Sequence, residues 1–331
     1  MKRLAVIILN WNGLELLKRF LPTAVAYSIS DESDLIVADN GSTDDSCRWV
    51  EENWPQVRLL RLDRNYGFAE GYNRAIQQTR YPYTVLLNSD VEVTKGWWEP
   101  MLTFMECRPD AGACQPKIRS WYDNDRFEYA GAAGGYLDRL GYPYCRGRVF
   151  DYVEEDLGQY DGAPEPVAWA SGAALMVDTE LYLKLGGLDT AFFAHMEEID
   201  LCCRMWGDGR KVYALSDSLV YHVGGASLSQ GNPKKTYLNF RNNLLLLNKN
   251  LPAGKAGRVL LLRRLVDTLA FFMFLLKGDT ANARAVLKAH RDYRKMKGNY
   301  REHPATDYMS KLPGHKRLIL LDKLKPSPRH R

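Results

Sequence analysis

The sequence predicts an α/β protein with a mostly parallel central sheet, helices on both of its faces, and a helical C-terminal appendage. Over the first 120 residues, short β-branched runs alternate with helical patterns, which indicates repeated β-α-β units. The 331 residues are 46% hydrophobic, enough for a large core, and this excludes disordered and fibrous proteins. From residue 251 onward the chain carries 19 Lys and Arg against 6 Asp and Glu, whereas 26 basic and 34 acidic residues precede it.

The first element is an apolar run at 4–10, as expected of a strand buried on both faces. The basic residues before it resemble the start of a signal peptide, but Asn10 and Asn12 cut the run short. The segment 121–166 is rich in Gly, Tyr and Asp, and we expect it to form hairpins and a loop that shape a substrate pocket. Further strands are predicted at 34–40, 57–62, 84–90, 167–178 and 212–222, and helices at 13–27, 44–53, 67–79, 179–185, 197–206 and 234–251.

The charge division predicts two domains, an acidic body at 1–250 and a basic, partly amphipathic helical region at 251–331. The stretch 258–279 is apolar around most of its circumference, with Arg263, Arg264 and Asp267 grouped on one side. One interpretation is a helical hairpin that packs on the acidic body, and the other is peripheral attachment to anionic membrane. Nucleic acid is not an expected partner, because no recognition motif accompanies the basic residues.

The six cysteines contain no C-x-x-C pair and no metal-ligand spacing. They are typical of free thiols in a reducing compartment, which predicts a cytoplasmic protein. The longest uncharged stretch of the basic region, 268–276, has nine residues, where a spanning helix needs about twenty. Under the lipid interpretation, the protein is placed at the cytoplasmic face of the inner membrane.

Polar clusters follow three of the predicted strands, at 10–12, 39–44 and 88–90. In open α/β sheets, ligands bind beyond the carboxyl ends of the strands, so these clusters are expected at one edge. Asn, Asp, Gly and Ser also form turns and helix caps, which is the alternative explanation for any one cluster. Three clusters at successive strand ends favour a ligand site.

Acidic residues and one histidine add candidate chemistry. Asp90 follows an apolar strand, where a carboxylate can hold a hard divalent cation against a diphosphate. Glu197 and Glu198 lie at a predicted helix start, where acids are also stabilised by the helix dipole alone. His222 ends a strand before a loop expected to be flexible from its paired glycines at 224 and 225. An imidazole with a carboxylate suits Mn²⁺ or Mg²⁺.

These motifs, taken in order, resemble those of family 2 glycosyltransferases, especially the rhamnosyltransferase-like branch. The resemblance covers about residues 3–250 and implies a GT-A fold, a nucleotide-sugar donor, a divalent cation and an inverting transfer. The matching segments are NWNG (10–13), DNGSTD (39–44), NYGFAEGYNRA (65–75), LLNSDV (86–91), SGAALMV (171–177), GGLDTAFF (186–193), EEIDLCCR (197–204) and YHVGGAS (221–227).

The resemblance implies roles for individual residues on the donor side. Trp11 matches an aromatic residue that stacks on the nucleobase, and Asp39 matches an acid that hydrogen-bonds the base. Asp90 matches the last acid of the D-x-D motif, which coordinates the cation, and His222 matches a downstream metal ligand. The first acid of the motif is Asn88 here, so one donor contact is neutral.

The same resemblance places the catalytic base at Glu198, with Glu197 beside it. The family usually has Asp at this place, and Glu is one methylene longer, so both residues stay candidates, with Glu198 preferred. Asp200 and Arg204 also match the family pattern and are expected to orient the base helix.

The implied function is transfer of a sugar from dTDP-rhamnose or a UDP-sugar to a hydroxyl of a glycan or lipid-linked acceptor, in cell-surface polysaccharide synthesis. A nucleotidyltransferase is one alternative, but NWNGLELLKRF (10–20) lacks the Gly-rich basic loop that such enzymes place after the first strand. A catalytically inactive, sugar-binding or scaffolding member of the fold is the other, and Asn88 lends it some support.

Overall fold

The structure is a computed structural model that describes residues 2–224, 231–300 and 302–324. The chain divides into two compact units: unit 1 comprises the residues up to 135 together with 145–224, and unit 2 comprises 136–144 together with the residues after 224. The predicted division after residue 250 falls inside unit 2, because the helix that ends at Asn250 packs with the helices that follow it. The loop predicted at the paired glycines lies, from residue 225 onward, outside the described residues.

The strands are β1 (Leu4–Asn10), β2 (Ser33–Asp39), β3 (Arg58–Arg61), β4 (Tyr83–Leu87), β5 (Val91–Val93), β6 (Ala111–Ser120), β7 (Gly135–Leu137), β8 (Pro143–Cys145), β9 (Arg148–Val149), β10 (Tyr152–Val153), β11 (Glu165–Val167), β12 (Ala174–Asp178) and β13 (Lys211–His222). The α-helices are α1 (Leu14–Ser28), α2 (Ser46–Asn53), α3 (Gly67–Thr79), α4 (Glu99–Cys107), α5 (Thr179–Lys184), α6 (Glu197–Gly207), α7 (Pro233–Asn250), α8 (Ala253–Leu276) and α9 (Thr280–Met296).

Unit 1 is built on a sheet with the order β11-β13-β6-β12-β4-β1-β2-β3, and β5 pairs with β13. The half formed by β4, β1, β2 and β3 is parallel, as the β-α-β pattern predicts. The other half is mixed, since β12 runs antiparallel to both β4 and β6. The α/β fold class predicted from the sequence is confirmed.

The register brings three strand ends to one edge of the sheet. Strand β1 pairs with β2 from Leu4 opposite Ser33 to Asn10 opposite Asp39. On its other side, β1 pairs with β4, so that the carboxyl ends of β2, β1 and β4 are neighbours. The polar clusters that follow these strands therefore share one edge, as expected.

Helices cover both faces of the parallel half. Leu4, Val6 and Ile8 lie on one face of β1, in a core cluster with Leu17 and other residues of α1. Leu9 is on the other face, because successive side chains of a strand alternate, and it lies against Gly71 of α3. Two covered faces explain why β1 is a continuous apolar run rather than an alternating one.

The prediction of a single strand at 167–178 is wrong. It is two strands, since β11 pairs with β13 at the end of the sheet whereas β12 lies between β4 and β6. The residues between them cross from one position to the other while staying buried, as at Ala168 and Ala170. An apolar pattern reports burial, and periodicity alone does not distinguish a buried strand from a buried connection.

Unit 2 consists mainly of α7, α8 and α9, which pack on one another. Short 3₁₀ segments follow them, at Lys297–Asn299, Met309–Lys311 and Ile319–Leu324. Across the described ranges, no helix combines the length and apolarity that a bilayer crossing requires.

Candidate active site

The first part of the site lies where β1 and β2 end. Asp39 is buried, and its carboxylate accepts hydrogen bonds from Asn10 Nδ2 (3.1 Å) and from the backbone N–H of Ser42 (3.0 Å). Trp11 follows Asn10 directly and keeps 56% of its surface exposed. Asp39 pairs with Asn10 in the sheet, so its fixed carboxylate lies near the exposed indole of the next residue, Trp11. An acid that hydrogen-bonds a planar ring and an aromatic side chain that stacks on the same ring could act together in this arrangement.

A buried cluster of three titratable side chains lies at the end of β13. His222 Nε2 is 3.2 Å from Asp90 Oδ1, and His222 Nδ1 is 3.6 Å from Glu128 Oε1. The antiparallel pairing of β13 with β5 sets His222 opposite Val91, next to Asp90. The predicted pair Asp90 and His222 is therefore brought together, with a second carboxylate on the far side of the ring.

The electrostatics of this cluster favour a charged ring. Burial alone would lower the pKa of His222, but its interactions with Asp90 and Glu128 outweigh burial and raise that pKa to about 10. Two carboxylates and one imidazole thus form a compact, largely desolvated group of charges at the edge of the sheet.

The donor set fits a divalent cation that is shared with a ligand. The described part of the chain holds no group of three or more His, Cys, Asp or Glu side chains placed to bind a metal ion by themselves. A cation on a diphosphate needs only one or two protein ligands, since phosphate oxygens and water complete its shell. Two ligand atoms at right angles around such an ion are about 3 Å apart. The distance of 3.2 Å between Asp90 Oδ1 and His222 Nε2 agrees with this spacing. A cation held here would take the place of the ring proton of His222, because only the neutral imidazole coordinates a metal.

Sequence reasoning missed Glu128, which lies in the Gly-, Tyr- and Asp-rich segment. Its Oε2 accepts a hydrogen bond from the backbone N–H of Ala130 (2.6 Å), which leaves Oε1 facing His222. Gly224 passes close to the same carboxylate with φ of +65°, and a Cβ there would lie 2.6 Å from Glu128 Oε1. No periodicity or motif marks a single Glu in such a segment, so only the fold reveals it.

The second part of the site is the start of α6. Phe193, His195 and Met196, which precede it, have φ values of 67°, 66° and 76°. Left-handed backbone is costly for residues other than glycine, and such strain concentrates at functional sites. The strained turn presents Glu197 and Glu198 as the first two residues of the helix.

The two glutamates differ in environment. Glu197 is buried and Glu198 is half-buried, and each has one carboxylate oxygen, Oε2, without a hydrogen-bond partner. Burial raises the pKa of Glu198 to about 7. Burial, together with the charge of Glu198, raises the pKa of Glu197 well above its ordinary value. A half-buried carboxylate with a pKa near neutrality suits a general base.

Helix α6 is held in place by an ion pair that joins its first turn to its second. Arg204 Nε donates to Asp200 Oδ2 (2.8 Å), and the other guanidinium nitrogens donate to the carbonyls of Leu185 (2.7 Å) and Gly187 (2.8 Å). The two family-pattern residues thus tie the helix to the turn after α5. This contact restrains the position of the glutamates one turn earlier.

A short segment connects the two parts of the site. The backbone N–H of Asn88, just after β4, donates to the carbonyl of Ala173 (2.9 Å). The preceding Gly172 lies against α6, where an added Cβ would be 3.7 Å from Glu198 Cβ. Asn88 and Glu198 therefore lie on either side of Gly172 and Ala173. Asp90 follows Asn88 by two positions, so this segment links the Asp90 end of the site to the Glu198 end.

Residues 5–153 match the family model described as Glycosyl transferase family 2. Over 236 residues the chain is 29% identical to an N-acetylglucosaminyl-diphospho-decaprenol L-rhamnosyltransferase of Mycobacterium tuberculosis. That alignment covers 66% of this chain and 76% of the relative.

Solved structures show the same fold at lower identity. TarS 1–349 of S. aureus in complex with UDP-GlcNAc superimposes with a TM-score of 0.58 at 16% identity, covering 88% of this chain and 80% of that one. GalNAc-T7 with UDP, GalNAc and Mn²⁺ gives a TM-score of 0.57 at 15% identity, covering 75% of this chain. This chain spans about half (48%) of the length of GalNAc-T7.

Proposed function

We propose that this chain, which has the GT-A fold and resembles the rhamnosyltransferases of glycosyltransferase family 2, is an inverting, metal-dependent enzyme with Glu198 as its base. The observation that carries this proposal is the state of Glu198. Its carboxylate is half-buried at the start of α6, has an oxygen without a partner and has its pKa raised to about 7. Glu197 is the less suitable candidate, because it is more deeply buried.

In the proposed reaction, Glu198 removes the proton from an acceptor hydroxyl as that oxygen attacks the anomeric carbon of the donor sugar. The bond between the anomeric carbon and the diphosphate breaks on the opposite side, so the configuration inverts. Asp90 and His222 would hold the cation beside the diphosphate, with Asn88 next to them, and Trp11 and Asp39 would bind the nucleobase. A divalent cation, Mn²⁺ or Mg²⁺, supplies positive charge against the charge that develops on the departing diphosphate.

For the substrates, we propose a dTDP-rhamnose or UDP-sugar donor and a lipid-linked or glycan acceptor used in cell-surface polysaccharide synthesis. The rhamnosyltransferase of M. tuberculosis, by its name, transfers L-rhamnose to N-acetylglucosaminyl-diphospho-decaprenol, which supports a donor and an acceptor of these classes. Peripheral contact with anionic membrane belongs to the same proposal, since it would bring the enzyme to a lipid-linked acceptor at the cytoplasmic face.

The family match decides against the nucleotidyltransferase alternative. The inactive, sugar-binding alternative makes a different prediction from ours, because such a protein would bind a donor without consuming it. The retained Asp39, Asp90, His222 and Glu198 favour an active enzyme.

A donor screen tests the proposal. The full chain is heated with candidate nucleotide sugars and Mn²⁺, and the donor that raises the melting temperature is then incubated with an N-acetylglucosaminyl-diphospho-polyprenol. We expect release of the nucleoside diphosphate and a glycolipid that is one sugar larger. A donor that binds but is neither transferred nor hydrolysed would establish the inactive alternative.

A further inference from the structure

Helix α8 of unit 2 carries its charges on the inside and its large apolar side chains on the outside. Arg263 and Asp267 are 1% and 0% exposed, although they are the charged residues that the sequence grouped on one side of the helix. Arg264, in the same group, is exposed. The usual surface helix has the reverse arrangement, with an apolar stripe facing the core.

A dense polar network holds α8 in this orientation. Arg263 pairs with Asp267 (3.2 Å), donates to the carbonyl of Leu140 (2.9 Å) and to Asn243 Oδ1, and stacks on the ring of Tyr142 at 3.8 Å. Asp267 also accepts from the Tyr142 hydroxyl (3.3 Å), and its second oxygen is 3.0 Å from His290 Nε2. Turning the helix over would break all of these contacts and leave the buried polar groups of Leu140 and Asn243, and the Tyr142 hydroxyl, without them.

The outward side of α8 is an apolar stripe over its last sixteen residues. Its most exposed members include Leu265 (64%), Leu269 (62%) and Leu276 (89%). The stripe is about 24 Å long at the rise of an α-helix. It consists of Leu261, Leu262, Leu265, Leu269, Phe272, Met273, Leu275 and Leu276.

The neighbouring helix α9, which packs on α8, carries a basic stripe. Arg284, Lys288, Arg291 and Lys295 are exposed and recur at intervals of four, three and four, so they share one face. Arg258 and Lys277 are exposed at the two ends of the apolar stripe. Basic residues around an exposed apolar helix face are typical of helices that lie in the surface of anionic membranes.

We propose that the apolar stripe of α8 inserts into the surface of an anionic bilayer, with the basic stripe of α9 attracted to the lipid headgroups. The helix lies along the surface, because no described helix can span and because its inner side carries buried charges. Charge also decides between a membrane and a second copy of the chain. The region from residue 251 holds 19 basic and 6 acidic residues, so two copies facing each other here would repel, whereas anionic lipid is complementary.

Vesicle flotation tests this surface on the full chain. We expect the protein to float with phosphatidylcholine vesicles containing about 30 mol% phosphatidylglycerol, but not with phosphatidylcholine alone, and less as salt rises. The double variant Leu265→Gln/Leu269→Gln should float at least tenfold less with the same vesicles. Its melting temperature should not fall, since both side chains are exposed. The matched control is Leu157→Gln, which changes a leucine of unit 1 that is 72% exposed.

Several outcomes would overturn the proposal. The vesicles contain no polyprenol, so a wild-type chain that stays at the bottom of the gradient with anionic lipid would reject the surface, whatever its transfer activity. Equal flotation of the double variant would place the lipid contact elsewhere. A wild-type dimer in light scattering that the same variant converts to a monomer, without any flotation, would assign the stripe to a second copy.

Discussion

Both units bury ionisable side chains, but those at the start of α6 in unit 1 have fewer hydrogen-bond and ion-pair partners than those around Asp267 in unit 2. At the start of α6, Glu197 and Glu198 are withdrawn from water, and each has a carboxylate oxygen without a hydrogen-bond partner. In unit 2, the buried Asp267 accepts from Tyr142 and Arg263 and lies 3.0 Å from His290 Nε2.

The difference separates the proposed catalytic site from a network that supports the fold. A buried carboxylate without partners raises the free energy of the folded state, and it is retained where a shifted pKa is useful. A buried charge that is fully paired fixes the orientation of the helix that carries it, and its partners make it unreactive. Five experiments test this contrast.

The largest expected effect is loss of turnover in Glu198→Gln. Without a base, the rate of transfer should fall by about 10²–10⁴. Donor affinity measured by calorimetry should persist, because the donor contacts lie on other residues. The control is Glu180→Gln, an exposed residue, and full turnover in Glu198→Gln would remove Glu198 from the mechanism. If Glu197→Gln alone abolished turnover, the base would be Glu197.

The next largest effect is on stability, in Asp267→Ala. The variant leaves Arg263 buried without its ion-pair partner, so the free energy of unfolding should fall by about 3–5 kcal/mol in chemical denaturation. Replacing both residues, as Arg263→Met/Asp267→Leu, should recover much of this loss. The control is Glu52→Ala, whose ion pair with Arg48 is exposed on both sides and should contribute much less than a buried pair. Equal losses in the two single variants would mean that the network does not fix α8.

Donor binding should respond in steps to changes around His222. Asp90→Ala should weaken Mn²⁺-dependent donor binding by about 100-fold, and Glu128→Gln, which only orients the imidazole, by about 10-fold. The control is Glu155→Gln, an exposed residue of the same segment. If calorimetry gave the wild-type protein the same affinity for the donor with and without Mn²⁺, the proposed cation site would be contradicted.

The pH profile should show the state of Glu198. Only the ionised carboxylate acts as a base, so kcat/KM should fall about tenfold per pH unit below the pKa and level off above it. With the pKa of Glu198 raised to about 7, the break is expected near neutrality. A profile that stays flat down to pH 5 would mean that the working base has an ordinary carboxylate pKa.

The smallest effect is a gain in stability in Glu197→Gln. The pKa of Glu197 lies well above 4.5 in the folded chain, so the unfolded chain ionises first, and stability falls as pH rises through this interval. Glutamine removes that loss. The variant should be more stable than the wild type at pH 8 and equally stable at pH 4 in chemical denaturation. If the variant and the wild type had the same free energy of unfolding at both pH values, the pKa of Glu197 would not be raised by folding.

Local patterns were sufficient for much of the fold and part of the site. The order of strands and helices up to β4 and the edge shared by Asn10, Asp39 and Asn88 follow from periodicity and from the geometry of parallel strands. Helix α4 and the long strand β6 were not predicted. The extent of β12 was not predictable, because its buried approach from β11 looks the same as a strand in an apolar pattern. The resemblance named residues for the donor, the cation and the base, and their catalytic roles stay predictions until the variants are measured.

The amino-acid order decides which segments become strands and helices, since hydrophobic spacing and turn residues act locally. It also decides that the carboxylates follow strand ends. Tertiary structure alone brings Glu128 to His222 and turns the apolar side of α8 outward. A helix that is apolar almost all round has no strong local preference for either face. Its orientation depends on partners for Arg263 and Asp267, and these come from distant segments that only the folded chain assembles.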